Sequence, residues 1–315
     1  MTHHGDMSLM SDGTLVVGGA NNVIAIWPDG TRRWQVSGLG AIFSAGPTVG
    51  PDAHVYGIAN PFYGGVGAFE ISSEGVLVRT IGLRTNVNGQ SYPYRVVFSS
   101  TDWFACLPPP AVGGGAGELH SFRLGGGINW IRSGQGQALR LANGSIYAQR
   151  TDNGNNYGAY LANGNVAWSH SFNTFGVPQF FPNSGPDGSV YQVAGGSRLV
   201  KFSQTGSVVA NRTYGYWTLQ YPAVRPDDSL ILMNGSYNLT DPREIFAARQ
   251  DGSIAWTLKL PKEGDVFVSP MSVMSFSPDG QTVYQGMTWN NYDPDTHTYL
   301  YAVRTGNVPG PRALP

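Results

Sequence analysis

The chain has 315 residues, of which 12% are charged, with 43 glycines, a single cysteine and a net charge of −1 at pH 7. A balance this close to neutral, with no Lys/Arg block, gives no electrostatic footprint for nucleic acid or an anionic membrane surface. One cysteine excludes intrachain disulfides and cysteine-clustered metal sites, and plentiful Gly, aromatic and β-branched residues without a helical period indicate many short strands joined by tight turns.

In chain order, a turn pair followed by an apolar strand recurs at "SDGTLVVGG", "PDAHVYGIA", "TDWFACL", "ANGSIYAQ", "PDGSVYQVA", "PDDSLILMN" and "PDGQTVYQG", with the turns at Asp12, Asp52, Thr101, Asn143, Asp187, Asp227 and Asp279. The spacing defines seven units of about forty to fifty residues. Asp-Gly and Asn-Gly suit tight hairpins in which both central residues take positive φ, so each pair is expected to join two antiparallel strands. A second beat follows inside each unit. A strand that often carries a small residue (Ala25, Ala68, Ser121, Ala159, Ala247, Ala302) leads into a Gly turn at Gly30, Gly75, Gly126, Gly164, Gly206, Gly252 and Gly306. Four residues beyond each of those glycines stand Trp34, Arg79, Trp130, Trp168, Ala210, Trp256 and Gly310.

Each unit therefore reads as strand, turn, strand, variable loop, strand, Gly turn, strand. The predicted fold is all-β: a single domain over 1–315 forming a β-propeller of seven four-stranded antiparallel blades, with eight as the alternative. The seventh unit runs out at "TGNVPGPRALP", where Pro309 and Pro311 oppose a regular strand, so the expectation is either three regular strands there or a ring completed by material outside this sequence. The tryptophans of the Gly-x-x-x-Trp beat are expected to wedge between neighbouring blades, and Cys106 to act as a small buried hydrophobe.

The repeat, best seen in "AGPTVGPDAHVYGIA", "YPAVRPDDSLILMNG" and "FAARQDGSIAWTLKL", resembles the PQQ-like repeat of quinoprotein alcohol dehydrogenase-like propellers. That resemblance covers nearly the whole chain. It implies the propeller fold but leaves activity open, because the same repeat serves quinone dehydrogenases and outer-membrane assembly scaffolds. The dehydrogenases commonly carry adjacent cysteines over the cofactor; these are impossible here, so PQQ is not expected and a PQQ-dependent oxidoreductase ranks third among the functions. The resemblance leans towards a periplasmic or extracellular setting. The first residues lack the charged and apolar regions of a signal peptide, no run is apolar enough to span a membrane, and a monomer is expected.

Function is expected where the units stop repeating, in the between-blade and middle loops, which are rich in Asn, Tyr and Gly. Candidate ligand-binding residues there are Tyr92, Tyr94, Arg95, Gln137, Phe175, Trp217, Tyr221, Phe267 and Asn291, suited to stacking on and hydrogen-bonding a small polar molecule, a glycan or a protein or peptide. Arg95 and Arg140 are candidates for holding an anion. His4 and Asp6, with Asp265 and Asp293, form a candidate site for Ca²⁺ or another divalent metal, with His3, Asp241, Asp295 and His297 close by in the repeat alignment. No Gly-x-Ser-x-Gly elbow, Walker loop or His-Glu-x-x-His helix occurs. The leading expectation is a propeller that binds a polar ligand or protein partner. The alternative is a propeller hydrolase of the lactonase, esterase or phosphotriesterase type using a channel metal.

Overall fold

A computed structural model describes residues 7–19, 21–42, 46–60, 65–85, 96–107, 117–150, 156–171, 182–194, 196–215, 218–225, 227–229, 231–236, 244–260, 267–270, 274–277, 279–290 and 297–305. Among these residues there is no helix, and every strand pairs antiparallel within one of seven sheets. The sheets follow the seven predicted units in order and are numbered here as blades 1 to 7. Two compact units contain them: Met1–Arg140 with Gly144–Ser171 holds blades 1 to 4, and Leu141–Asn143 with Phe172–Pro315 holds blades 5 to 7.

Blade 5 shows the plan. Its strands Asn183–Ser184, Val190–Ala194, Arg198–Phe202 and Val208–Thr213 pair each with the next. In blade 2 the first strand is broken into Ala41–Ile42 and Thr48–Val49, both paired with Val55–Asn60, followed by Gly65–Ile71 and Leu77–Thr85. Blade 7 likewise pairs Phe267–Pro270 and Ser275–Phe276 with one strand, Thr282–Asn290, and continues to His297–Arg304. Among the described residues it therefore has three strand positions; Pro309 and Pro311, on which the expectation for this unit rests, lie outside them.

The hairpin turns correct one expectation. Only one residue per turn takes positive φ: Gly13 (84°) and Gly188 (75°), but neither Asp12 nor Asp187. In the first of these, Gly13 N–H donates to Met10 O and Met10 N–H to Thr14 O, the pattern of a type I turn followed by a left-handed residue. The aspartate serves through its side chain instead. Asp12 accepts the Thr14 N–H, and Asp52, Asp187, Asp227 and Asp279 each accept the N–H two residues on. That bond to Thr14 is the main cause holding the Asp12 carboxyl below the usual aspartate value. Where the sequence has no glycine, Ala53 (64°) and Asp228 (57°) occupy the left-handed position.

The cores lie between consecutive blades, because one sheet buries neither face alone. Val16, Val23 and Ala25 of blade 1 pack with Val55, Phe69 and Ile71 of blade 2. Phe104 and Leu119 of blade 3 pack with Ile146 and Tyr160 of blade 4, and Leu232 and Ala247 of blade 6 with Val283 of blade 7. Cys106 belongs to the blade 3 and 4 core; burial pushes its thiol up to about 12, which suits an inert hydrophobe.

Candidate functional site

The Gly-x-x-x-Trp beat is built by register. Trp34 pairs with Ala25, Trp130 with Ser121, Trp168 with Ala159 and Trp256 with Ala247. In each case a β-bulge follows directly, which re-aims the side chains of the outer strand. A small residue stands opposite because the indole covers its space. Trp34 Nε1 then donates to Ser73 O, and Trp130 Nε1 to Ala162 O, each in the Gly turn of the next blade. These indoles therefore tie blade to blade, as expected from the sequence.

Of the three units without this Trp, the two whose position is described, blades 2 and 5, carry charge opposite it. The partner of Arg79 is Glu70, not Ala68, which pairs with Ile81; the partner of Ala210 is Lys201. Both charged side chains are buried, at 3% and 4% exposure. Arg79 takes over the reach of the indole by donating to Gly125 O and Gly126 O of blade 3. In blade 5, Tyr214 does so from further along the chain, donating to Gly252 O of blade 6.

Around Glu70 and Lys201 the structure assembles two polar clusters. In blade 2, Glu70 Oε1 lies 2.7 Å from His54 Nδ1 and Oε2 lies 2.8 Å from Arg79 Nε, an ionic contact not aligned as a hydrogen bond. Asp52 sits beside them; its Oδ2 accepts the Tyr56 hydroxyl proton at 2.6 Å. In blade 5, Lys201 Nζ lies 2.9 Å from Asp228 Oδ2 and 3.1 Å from Asp187 Oδ2, and 4.9 Å from the Tyr191 ring centroid. Asp228 also accepts from the Tyr191 hydroxyl and from Gln250 Nε2. Burial opposes the Lys201 charge, but its contacts with Tyr191, Asp228 and Asp187 outweigh that and hold the ammonium above the ordinary lysine value. Burial also pushes the Tyr191 phenol up to about 12.

Both clusters lie at the end of their blades that carries the repeating turns, away from the variable loops where the sequence places the site. The signal for them was the break in the small-residue pattern at Glu70 and Lys201; reading Ala68 into that position hides it. His54 is held in this cluster by its contact with Glu70.

Of the residues predicted from sequence, Tyr92, Tyr94, Arg95, Phe175, Trp217, Asn291, His4, Asp6, Asp265 and Asp293 lie outside the described residues, as do His3, Asp241 and Asp295. Gln137, Tyr221 and Phe267 fall on described backbone, in the first strands Gln135–Arg140, Thr218–Val224 and Phe267–Pro270 of blades 4, 6 and 7. Gln137 and Tyr221 share a special location. Each sits in the register break of its strand, between Gln135 and Leu139 and between Gln220 and Ala223. His297 pairs with Trp289 at the start of the last strand. Arg140 is exposed and pairs with Ile146 across the Asn143 turn, at the repeating-turn end of blade 4.

No protein-family model matches the sequence, and a search of curated proteins returns no match. Solved structures do resemble it. The C-terminal WD40 domain of Sif2 matches at 10% identity and a TM-score of 0.66, over 95% of this chain and 81% of that one. Dihydro-heme d1 dehydrogenase NirN in complex with DHE matches at 13% identity and 0.63, over 97% of this chain but 64% of that one. KlHsv2 with loop 6CD replaced by a Gly-Ser linker matches at 10% and 0.58, over 96% and 97%. Identities this low carry the fold alone. The sheet plan and these likenesses together make the chain an all-β, seven-bladed β-propeller.

Proposed function

We propose that this propeller, of the PQQ-like repeat type, is a binding or scaffold domain that recognises a polar ligand or protein partner through its variable loops and the first strands they enter. The observation that carries the reading is the interrupted first strand. In blades 2, 4, 6 and 7 its pairing breaks or shifts, whereas the turn-end elements keep one plan from blade to blade. Strand irregularities re-aim side chains and concentrate at functional sites. Gln137 and Tyr221 stand in two of these breaks.

The chemistry of the loops fits a neutral, polar target. Tyr92, Tyr94, Phe175, Trp217 and Phe267 offer rigid faces for stacking, while Gln137 and Asn291 offer amide donors and acceptors. Arg95 adds one positive charge for an anionic substituent.

A glycan and peptide array probed with the full chain tests the reading. Specific signal is expected on a restricted set of targets, and Tyr94→Ala or Trp217→Ala is expected to reduce it by about tenfold or more, as for aromatic anchors at interfaces. A chain that binds no glycan and no peptide above background would contradict it.

A further inference from the structure

Blades 2 and 5 place different chemistry at matching positions. Asp52 and Asp187 hold the same turn place, and Tyr56 faces Glu70 across the sheet as Tyr191 faces Lys201. In blade 5 a cation fills this point, the Lys201 ammonium at 3.1 Å from Asp187 Oδ2. In blade 2 the corresponding residue is Glu70, so the turn carboxylate meets a second carboxylate. The residue two beyond the turn aspartate, Ser189 in blade 5, is His54 in blade 2. One ligand atom each from Asp52, His54 and Glu70 lies within 4.8 Å of the others.

We propose that blade 2 binds one divalent transition-metal ion through Asp52, His54 Nδ1 and Glu70 Oε1, in the place that the Lys201 ammonium takes in blade 5. A mixed imidazole and carboxylate set selects zinc, cobalt, nickel or copper over calcium, which prefers oxygen ligands alone. Tetrahedral zinc holds its ligand atoms about 3.3 Å apart. Asp52 must therefore close slightly, and the 2.7 Å His54–Glu70 contact must open slightly. The exposed turn permits the first movement.

The surroundings already have the form of an outer shell. Arg79 touches Glu70 Oε2 and leaves Oε1 to the imidazole, while its terminal nitrogens are held by Gly125 O and Gly126 O. The Tyr56 hydroxyl fixes Asp52. Metal-ligating carboxylates are commonly oriented by such partners. Asp52 and Glu70 with Arg79 leave one net negative charge to receive a dication. The His54 side chain is 32% exposed, which gives an entry path and room for a solvent ligand.

Cobalt(II) titration of the chelator-treated full chain, read by visible absorption and by equilibrium dialysis, tests this. One equivalent is expected to bind with a d–d spectrum, and the thermal midpoint to rise with metal. His54→Ser, which installs the residue of blade 5, is expected to weaken binding by more than about a hundredfold. Glu70→Lys with Arg79→Ala rebuilds the blade 5 pair and is expected to abolish binding while keeping a cooperative melt. No cobalt bound to the wild type, or unchanged binding in either blade 2 variant, would overturn the proposal.

Discussion

Lys201→Ala is expected to lower stability by about 3–5 kcal/mol, the cost of breaking a buried ion pair by removing one partner. Two observations set the size. Asp228 is 5% exposed, and the alanine leaves its carboxylate facing only Tyr191 and Gln250. Its backbone is also held at a φ of 57°, so the side chain cannot escape by relaxing the turn without losing the left-handed residue of that hairpin. Asp228→Asn keeps a residue that tolerates this conformation and can still bond Tyr191 and Gln250. In the Lys201→Ala background it is expected to recover about 1–3 kcal/mol, the coupling usual for groups in one network. Urea denaturation of the four chains of this cycle measures it. An additive double variant would mean that the ammonium does not compensate Asp228.

The second large effect concerns the position that has Trp in four blades and Arg79 in blade 2. Arg79→Trp alone is expected to cost about 3 kcal/mol or more, because Glu70 stays buried without its guanidinium and an indole is forced against it. Glu70→Ala alone is expected to cost about 1–3 kcal/mol, since His54 loses its hydrogen-bond partner and Arg79 its ionic contact. Together the two substitutions recreate the Ala25–Trp34 pair of blade 1, with the indole over a small residue and its N–H directed at the next turn. The double variant is therefore expected to be more stable than Arg79→Trp, with a favourable coupling of about 1–3 kcal/mol. A double variant as unstable as the sum of the singles would refute the equivalence of the two latches.

The turn beneath the latch gives a smaller contrast within one beat. Gly75 and Gly30 share a left-handed backbone, with φ of 80° and 85°. A Cβ on Gly75 would come within 2.5 Å of the Trp34 ring, whereas one on Gly30 meets nothing within 4 Å. Gly30→Ala is expected to cost about 1 kcal/mol for the backbone alone, and Gly75→Ala about 1–3 kcal/mol more for the displaced indole. Equal midpoints for the two variants would show that Trp34 does not rest on the turn.

Much of this architecture is legible in the sequence because propeller repeats are local. Asp-Gly pairs, alternating apolar strands and the Gly-x-x-x-Trp spacing each fall within one hairpin, so strand order, blade number and the packing role of Trp34 and Trp130 follow from short stretches. The polar clusters are harder to read because they depend on register. Glu70 lies opposite Arg79 only by virtue of the bulge at Val78, and Lys201 meets Asp228 across two blades. A shift of two residues along the strand put Ala68 in the place of Glu70 and made the blade look ordinary. The turn geometry is hidden for a related reason: Asp12 accepts a bond through its side chain, so its carboxylate and not a left-handed backbone suits it to the turn. Tyr221 and Gln137 stand out in the sequence for their loop chemistry, whereas the register breaks that hold them are a property of the sheet.

The central claim is a division of labour: repeated residues hold blades together, and residues of the variable loops and first strands bind. Trp34→Ala and Trp217→Ala, each measured for array binding at 15 °C and for thermal midpoint, separate the two roles. The account predicts that Trp34→Ala lowers stability by about 3 kcal/mol yet keeps the wild-type binding profile. It predicts that Trp217→Ala loses binding with little change in midpoint. Loss of binding in folded Trp34→Ala, with wild-type binding in Trp217→Ala, would contradict it.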